Sequence, residues 1–407
     1  MGRRMMRAFA AGLAMAIAGA AATVSPTAAA AQSDAVPDPV PGEVAIGMIT
    51  TLSGPGSSLG IDVRDAFALA VEEMGGKLGG LDARVIEGDD QQKPDVAKQL
   101  ADRMVERDGV RFVTGVIWSN LALALMPSLE RSEVFFVSAN AGPSQLAGRQ
   151  CSPFFFSASY QNDGQHEATG QYVRDQGFER VYLMAPNYPA GKDSLAGFKR
   201  FYGGGIAGEV YTTVGQLDYA AEIAQLRAAD PDAVFVFYPG GMGINFVKQY
   251  DQAGLKGDIP LFGPGFTFAQ DVLPAMGEAA VGAFNGAQWS PDLDTAANRA
   301  FVAAFEERYG RLPSVYAAQA YNAARLIDGA IRRTGGDLED EDALREALMA
   351  ADFEPVTGNF EFNTNHFPIQ DYYIREVVKD EQGRITNRVR AKVFTDHEDA
   401  YHTECKM

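Results

Sequence analysis

The chain has 407 residues, 46% hydrophobic and 22% charged, with 53 acidic against 35 basic side chains and a net charge of −18. So acidic a chain disfavours nucleic acid and anionic membrane surfaces as partners. Two cysteines and four scattered histidines (His166, His366, His397, His402) offer no zinc or iron–sulfur spacing, and no metal or cofactor is expected.

Residues 1–31 read as a secretory signal peptide. Arg3, Arg4 and Arg7 form a positive start, Ala8 to Val24 is apolar, and a small-residue run ends at Ala31, the expected cleavage point. The apolar stretch is short for a membrane span of about 20 residues, and no later stretch is apolar enough for one. The expectation is an exported, periplasmic product with no direct membrane insertion. Removing three Arg takes the net charge to −21 over the remaining 376 residues, enough chain for two domains of about 150 each. Residues 32–41, with Pro37, Pro39 and Pro41, read as a flexible lead-in.

Short apolar runs then alternate with helical patterns. Strands are expected at Val44–Ile49, Ala83–Glu87, Phe112–Val116 and Val134–Val137. Helices are expected between and after them at Ile61–Met74, Asp95–Glu106 and Leu121–Leu129. In the first helix Val63, Ala66, Phe67, Ala70, Val71 and Met74 make one apolar stripe. The alternation restarts near Arg180. Strands at Val181–Met184, Val210–Thr213, Val234–Phe237 and Pro260–Phe262 lead into helices at Asp193–Phe201, Ala220–Arg227, Ile244–Ala253 and Gln270–Met276. Helices at Ala297–Tyr309, Val315–Arg333 and Glu341–Met349 follow, then strands at Asp371–Val378 and Arg390–Phe394. Continuous Val/Ile/Phe runs separated by helices imply parallel sheets covered on both faces. The fold class is α/β, with two doubly wound lobes.

In such sheets ligands bind where loops leave the carboxyl ends of strands. Thr51 to Gly60, containing Ser57, has the Gly and Ser content of an anion cradle, yet it fits neither a Walker loop nor a dinucleotide fingerprint. Trp118-Ser119-Asn120 follows the third strand: Ser119 or Asn120 suits a helix cap, and an exposed Trp118 would offer a stacking surface. Asn140-Ala141-Gly142, Asn187-Tyr188, Tyr238-Pro239-Gly240-Gly241 and Gly263-Pro264-Gly265-Phe266 occupy the other strand ends. Tyr160 joins them as a candidate contact. No nucleophile has an assignable base: there is no G-x-S-x-G elbow, and His166 reads as a surface or capping residue. Asp163 suits an N-cap. No enzyme activity is expected. Cys151 and Cys405, an even pair in an exported chain, form one disulfide or remain two separate thiols.

These residues resemble a known family. Glu43 to Pro55, EVAIGMITTLSGP, is similar to the start of the periplasmic leucine/isoleucine/valine-binding proteins, the type I solute receptors of branched-chain-amino-acid-type ABC transporters. The likeness continues through Asp89-Asp90-Gln91, Tyr238-Pro239-Gly240-Gly241, the helix with Tyr316 and Tyr321, and Gly358 to Asn363, covering residues 43–380. It implies the type I periplasmic-binding-protein fold: two lobes joined by three crossovers, closing by a hinge over a ligand in the cleft. Lobe 1 would take 42–159 plus 288–361, and lobe 2 would take 160–287 plus 362–407. Amino-acid binders of the family map their carboxylate contacts onto Ser119, Ala141 and Gly142, with Gly142 replacing a usual Thr and Ser144 nearby. Their tyrosines map onto Tyr188 and Tyr238. Gly265 stands where they often carry an acid for the ligand ammonium, so the expected ligand is a small carboxylate without that group. Trp118, Tyr188, Tyr238 and Phe266 favour an aromatic acid. The closest resemblance is to the branch for benzoate- or hydroxycinnamate-type compounds, which includes Cys151 and the closing Glu404-Cys405-Lys406-Met407 and supports the disulfide. Asp163, near the hinge, is the alternative partner for an ammonium. The implied partners are the carboxylate and an inner-membrane ABC permease, with the receptor a monomer. The competing readings are a branched-chain amino-acid receptor, a secreted ligand sensor and a secreted hydrolase.

Overall fold

The computed structural model describes residues 42–407, so the expected signal peptide and lead-in lie outside the described residues. The chain opens with β1 (Glu43–Thr50), α1 (Ser57–Glu73), β2 (Lys77–Leu78), β3 (Leu81–Asp89), α2 (Pro94–Asp108) and β4 (Phe112–Thr114). It continues through α3 (Ser119–Arg131), β5 (Phe135–Ser138), α4 (Ser144–Ala147) and β6 (Phe155–Ser157). These strands form one sheet in the order β2-β3-β1-β4-β5-β6, parallel except for β2. Every residue of β1 after Glu43 is buried, as expected for a strand covered on both faces. Pro94 at the start of α2 and Gly109 at its end (φ 64°) set that helix's limits.

The second sheet comes from α5 (Gly164–Asp175), β7 (Arg180–Pro186), α6 (Pro189–Tyr202), β8 (Gly205–Thr212), α7 (Ala220–Ala229) and β9 (Ala233–Val236). After these come α8 (Gly241–Gln252), β10 (Leu261–Pro264), α9 (Leu273–Met276) and β11 (Phe284–Ala287). The chain then returns to the first sheet as α10 (Ala296–Tyr309), α11 (Val315–Arg333) and α12 (Glu341–Met349), started by the side-chain caps Thr295, Ser314 and Asp340. Arg308 reaches Glu72, Arg325 reaches Glu73 and Arg345 reaches the Pro153 carbonyl, which fixes these helices to the first lobe. Finally β12 (Glu361–Phe362), β13 (Pro368–Lys379) and β14 (Ile385–His397) extend the second sheet, with β13 antiparallel to β11 and paired with β14. The result is two α/β lobes of the type I architecture, between whose sheets the chain passes three times.

The sequence reading missed α5, β6 and β11. Helix α5 is buried from Gly164 to Gly170, and a Cβ on Gly170 would lie 2.3 Å from the Phe198 carbonyl. A helix packed that closely on both sides needs small residues and shows no apolar stripe. Strand β11 reads Phe-Asn-Gly-Ala, which resembles a turn, because Asn285 is committed to buried side-chain hydrogen bonds. The second lobe therefore begins with α5, before the strand at Arg180. Strand β14 also starts earlier than the expected Arg390.

Cys151 and Cys405 are bonded, with Cα atoms 5.6 Å apart and a sequence separation of 254. The bond ties the tail beyond β14 to the chain just before β6. Replacing both cysteines by Ser is expected to lower stability by up to about 5 kcal/mol, the chain-entropy figure for a loop this long. A urea titration of the variant against the oxidised protein measures it.

Candidate functional site

Both sheets reverse strand order once. The first runs β3-β1-β4-β5 and turns at the β1/β4 boundary; the second runs β8-β7-β9-β10 and turns at β7/β9. A crevice opens at such a point because successive helices leave to opposite faces. The loops there are Thr51–Gly56 and Gly115–Trp118 in one lobe, Asn187–Tyr188 and Phe237–Gly240 in the other. The two sets touch, with Pro55 against Gly240 and Gly241.

Aromatic rings fill this meeting point. The Trp118 ring lies 6.1 Å from that of Tyr188, which stacks on Phe237 at 6.2 Å and 18°. Phe266 is 6.4 Å from Phe237, 4.9 Å from Tyr160 and 5.3 Å from Tyr316. Trp118, Tyr160, Phe237, Phe266 and Tyr316 are buried, and Tyr188 is half-buried. Burial raises the hydroxyl pKa values of Tyr160, Tyr188 and Tyr316 well above the ordinary range, so these phenols stay neutral donors. Trp118 is oriented by its indole N–H, which donates to Thr51 Oγ1 at 2.9 Å; Thr51 donates in turn to Asp90 at 2.7 Å.

Polar bridges cross the crevice on either side. Ser144 donates to Asp193 of α6 from its N–H (3.0 Å) and hydroxyl (2.7 Å). Asn162 donates to both Asp193 (2.8 Å) and the Ser119 hydroxyl (3.1 Å). Beyond the rings, the Ser58 hydroxyl donates to Asp271 at 2.8 Å across a groove of about 600 Å³, which Ile61, Asp62, Arg311, Gln270 and Ile385 also line. Asp271 Oδ1 is buried without a partner among the described residues. Burial, with the Asp62 carboxylate nearby, pushes Asp271 up to about 7.

The structure sorts the residues expected from sequence. Trp118, Ser119, Asn140, Tyr160, Tyr188 and Phe266 gather at the crevice, although Trp118 is buried rather than exposed. Ser57 and Asn120 are half-buried in the first turns of α1 and α3. Ser119 makes no cap; its hydroxyl accepts from Asn162. Asn140 donates to the Ile117 carbonyl at 2.8 Å, and its Oδ1 has no partner among the described residues. Ala141 departs from expectation, because its N–H donates to the Val116 carbonyl. The Gly142 N–H donates to Asn162 Oδ1 at 3.2 Å, and a Cβ there would lie 2.3 Å from the Tyr160 carbonyl, so a Thr does not fit. Tyr238 turns the other way: its ring packs on Tyr219 (4.8 Å) and Phe246 (5.3 Å) inside the lobe, and its hydroxyl accepts from Thr212. Phe237 faces the crevice in its place, since successive residues of an extended strand point to opposite sides.

Asp163 is likewise committed elsewhere. Its fully buried carboxylate accepts from Arg200 (2.7 Å), Tyr401 (2.9 Å) and Gln161 (3.1 Å), while Arg200 also pairs with Glu167 and His397 meets Glu167 at 2.5 Å. This latch joins α5, α6 and the disulfide-bonded tail. Burial, then Asp193 and Glu167, push Asp163 up to about 7 against the pull of Arg200. His166 is a buried residue, not a surface one; it sits between Phe235 and Phe237 with Ser194 on Nδ1, and burial lowers it to about 3.

Sequence reasoning did not find Arg375, which is buried beside Gly265. A Cβ on Gly265 would lie 2.8 Å from Arg375 Nη2, so the guanidinium occupies the space a side chain there would need. Nor did it find Phe237 or the cleft position of Tyr316.

Comparison with known proteins agrees with the two-lobed fold. A family model described as periplasmic binding protein matches residues 43–382. A Leu/Ile/Val-binding protein homolog of Brucella melitensis is 27% identical over 85% of this chain and 90% of its own length. A solute-binding protein of an ABC transporter from R. palustris, in complex with benzoate, superposes with a TM-score of 0.84 at 28% identity, covering 90% of this chain and all of the other. A solute-binding protein from Rhodopseudomonas palustris BisB5, in complex with 3,4-dihydroxybenzoic acid, gives 0.82 at 29%, over 88% of this chain and 99% of its own.

Asp271 gives the site a pH dependence. The folded protein holds this proton up to about pH 7, whereas the unfolded chain releases it near 3.8. Its contribution is therefore complete below pH 4 and is lost as pH rises to 7. Asp271→Asn, which keeps an acceptor for Ser58, should melt several degrees higher than the wild type at pH 8 and no higher at pH 4, read by thermal melts at both values.

Proposed function

The chain belongs to the periplasmic binding protein family and is a solute-binding protein of an ABC transporter, and on that premise we propose that its ligand is a small aromatic carboxylate of the benzoate or hydroxycinnamate type. The observation that carries this reading is the cluster of six rings contributed by both lobes, from Trp118 to Tyr316. Flat apolar walls held by buried contacts suit a flat ring better than an aliphatic chain. The absence of an acid at Gly265 and the ion-paired state of Asp163 support a ligand without an ammonium group, which would be costly to bury unpaired. The benzoate and dihydroxybenzoate complexes of the similar proteins point the same way.

In this reading lobe 1 comprises 42–159 plus 288–361 and lobe 2 comprises 160–287 plus 362–407. Closure about the three crossovers forms the Ser144–Asp193 and Ser58–Asp271 bridges and encloses the ligand, and the closed shape is what an inner-membrane permease recognises. Ser57, Ser119, Asn120 and Asn140 supply polar contacts from the first lobe. The protein works as a monomer in the periplasm after cleavage near Ala31, and it binds without turnover. A second reading, an amino-acid receptor, draws on Asp271, whose Oδ1 is buried without a partner among the described residues, as the group that would take an ammonium; Asp62, the other acid of that groove, is paired with Arg311.

Calorimetric titration with benzoate, 4-hydroxybenzoate, p-coumarate, leucine and phenylalanine distinguishes the two. Tight binding of an aromatic acid with none of leucine is expected, and the reverse overturns the proposal. Tyr188→Ala and Phe266→Ala should each weaken binding by about tenfold or more. Tyr238→Phe, which removes only the hydroxyl bonded to Thr212, should leave affinity unchanged.

A further inference from the structure

Arg375, on β13, is a cation buried among neutral groups. It is 1% exposed. Its Nε and Nη2 donate to Asn285 Oδ1 at 2.8 and 2.6 Å, and its Nη1 donates to the Trp289 carbonyl at 2.8 Å. The Gly265 carbonyl lies 3.5 Å from Nη2. No carboxylate is within salt-bridge distance among the described residues. The acid closest in influence is Asp292, which accepts from the Ser290 hydroxyl and the Val389 N–H. Burial lowers the guanidinium to about 9, which leaves it charged at neutral pH. An isolated charge in such surroundings is strongly destabilising unless an opposite charge joins it.

Its position says where that charge would come from. Gly265 directly follows β10, and the next residue, Phe266, stands in the ring cluster. Asn285 lies on β11, and Trp289 lies on the crossover from β11 to α10. A second buried donor shares this corner. Gln165 accepts the Gly265 N–H at 3.0 Å and donates to Gln288 Oε1 at 2.6 Å, while Gln288 Nε2 has no partner among the described residues. The corner thus holds one cation and one unpaired amide donor where the second lobe meets a crossover. Elsewhere at the crevice the acids are spent: Asp163 on Arg200, Asp193 on Ser144 and Asn162.

We propose that Arg375, assisted by Gln288, provides the counter-charge for the ligand's carboxylate and so selects anions over neutral ligands of the same shape. This rests on the solute-receptor reading and extends it to a residue that determines specificity. It also accounts for Gly265: a side chain there would displace the guanidinium from the corner. The ligand anion neutralises the buried charge only when bound, so part of the binding free energy comes from relieving a cost already present in the empty receptor. Charge-assisted bonds to a carboxylate are about twice as strong as neutral ones, which places the discrimination in this contact.

The test is a ratio of affinities for two ligands that differ only in charge, benzoate and benzamide, by calorimetry. The wild type should prefer benzoate by about 100-fold, in line with hydrogen bonds to charged groups. Arg375→Gln should bring the two within a few-fold of each other, and Arg375→Lys should keep part of the preference. A residue that is merely structural would weaken both ligands alike, and an unchanged ratio in a folded Arg375→Gln protein would overturn the proposal. Should that variant fail to fold, Gln288→Met carries the test, with an expected selective loss for benzoate; equal loss for both ligands counts against the proposal. A wild-type ratio near one overturns it without any variant. If the receptor takes leucine and not benzoate, the aromatic reading has failed while this one has not, and leucine against leucinamide gives the same ratio.

Discussion

Parallel strands covered on both faces constrain everything else in this molecule. Once helices bury both sides of a sheet, only the loops beyond the strand ends remain for polar chemistry. Each sheet has one place where the strand order reverses, and the two places face each other. The rings from Trp118 to Tyr316 come from loops and a helix start far apart in the chain. They converge because each follows the end of its own strand or begins a helix that packs there. Ser144–Asp193 and Ser58–Asp271 then tie the lobes together on either side of the rings.

Buried charge decides what such a crevice can accept. Around the first crossover the charges are balanced: Asp163 and Glu167 share Arg200, and Tyr401 and His397 complete the latch. The disulfide anchors Cys405, four residues beyond Tyr401, to Cys151. Around the second crossover the charge is not balanced. Arg375 has only neutral partners, and Gly265 makes room for it. The proposed anionic ligand thus draws on the contrast between an ion-paired acid corner and a basic one without a carboxylate partner among the described residues, independently of the shape argument from the rings.

Most of the architecture was legible before any coordinates. Val44–Ile49 and its successors are continuous apolar runs, and the stripe from Val63 to Met74 is a regular helical face; both patterns depend on local periodicity alone. Helix α5 was not legible, because Gly164 and Gly170 are there to let Tyr372 and the Phe198 backbone approach. Close packing on several sides removes the one-sided stripe by which a helix is recognised. In the site, the strand-end loops were found but individual directions were not. Phe237 and Tyr238 are adjacent, and only the pleat of the finished strand decides which one faces the rings.

By itself the sequence determined most of the element order, the two α/β lobes and the family resemblance, which in turn supported the pairing of the only two cysteines. These follow from periodicity and composition, which act over a few residues, or from ordered motifs along the chain. The tertiary structure alone decided that Asp163 is locked to Arg200, that Gly142 has no room for a hydroxyl, and that a guanidinium stands in front of Gly265. Arg375 is 110 residues from that glycine in sequence. Contacts of this kind arise when β13 is laid beside β11 at the end of the chain, and no local pattern encodes which side chain such a late strand brings beside Gly265.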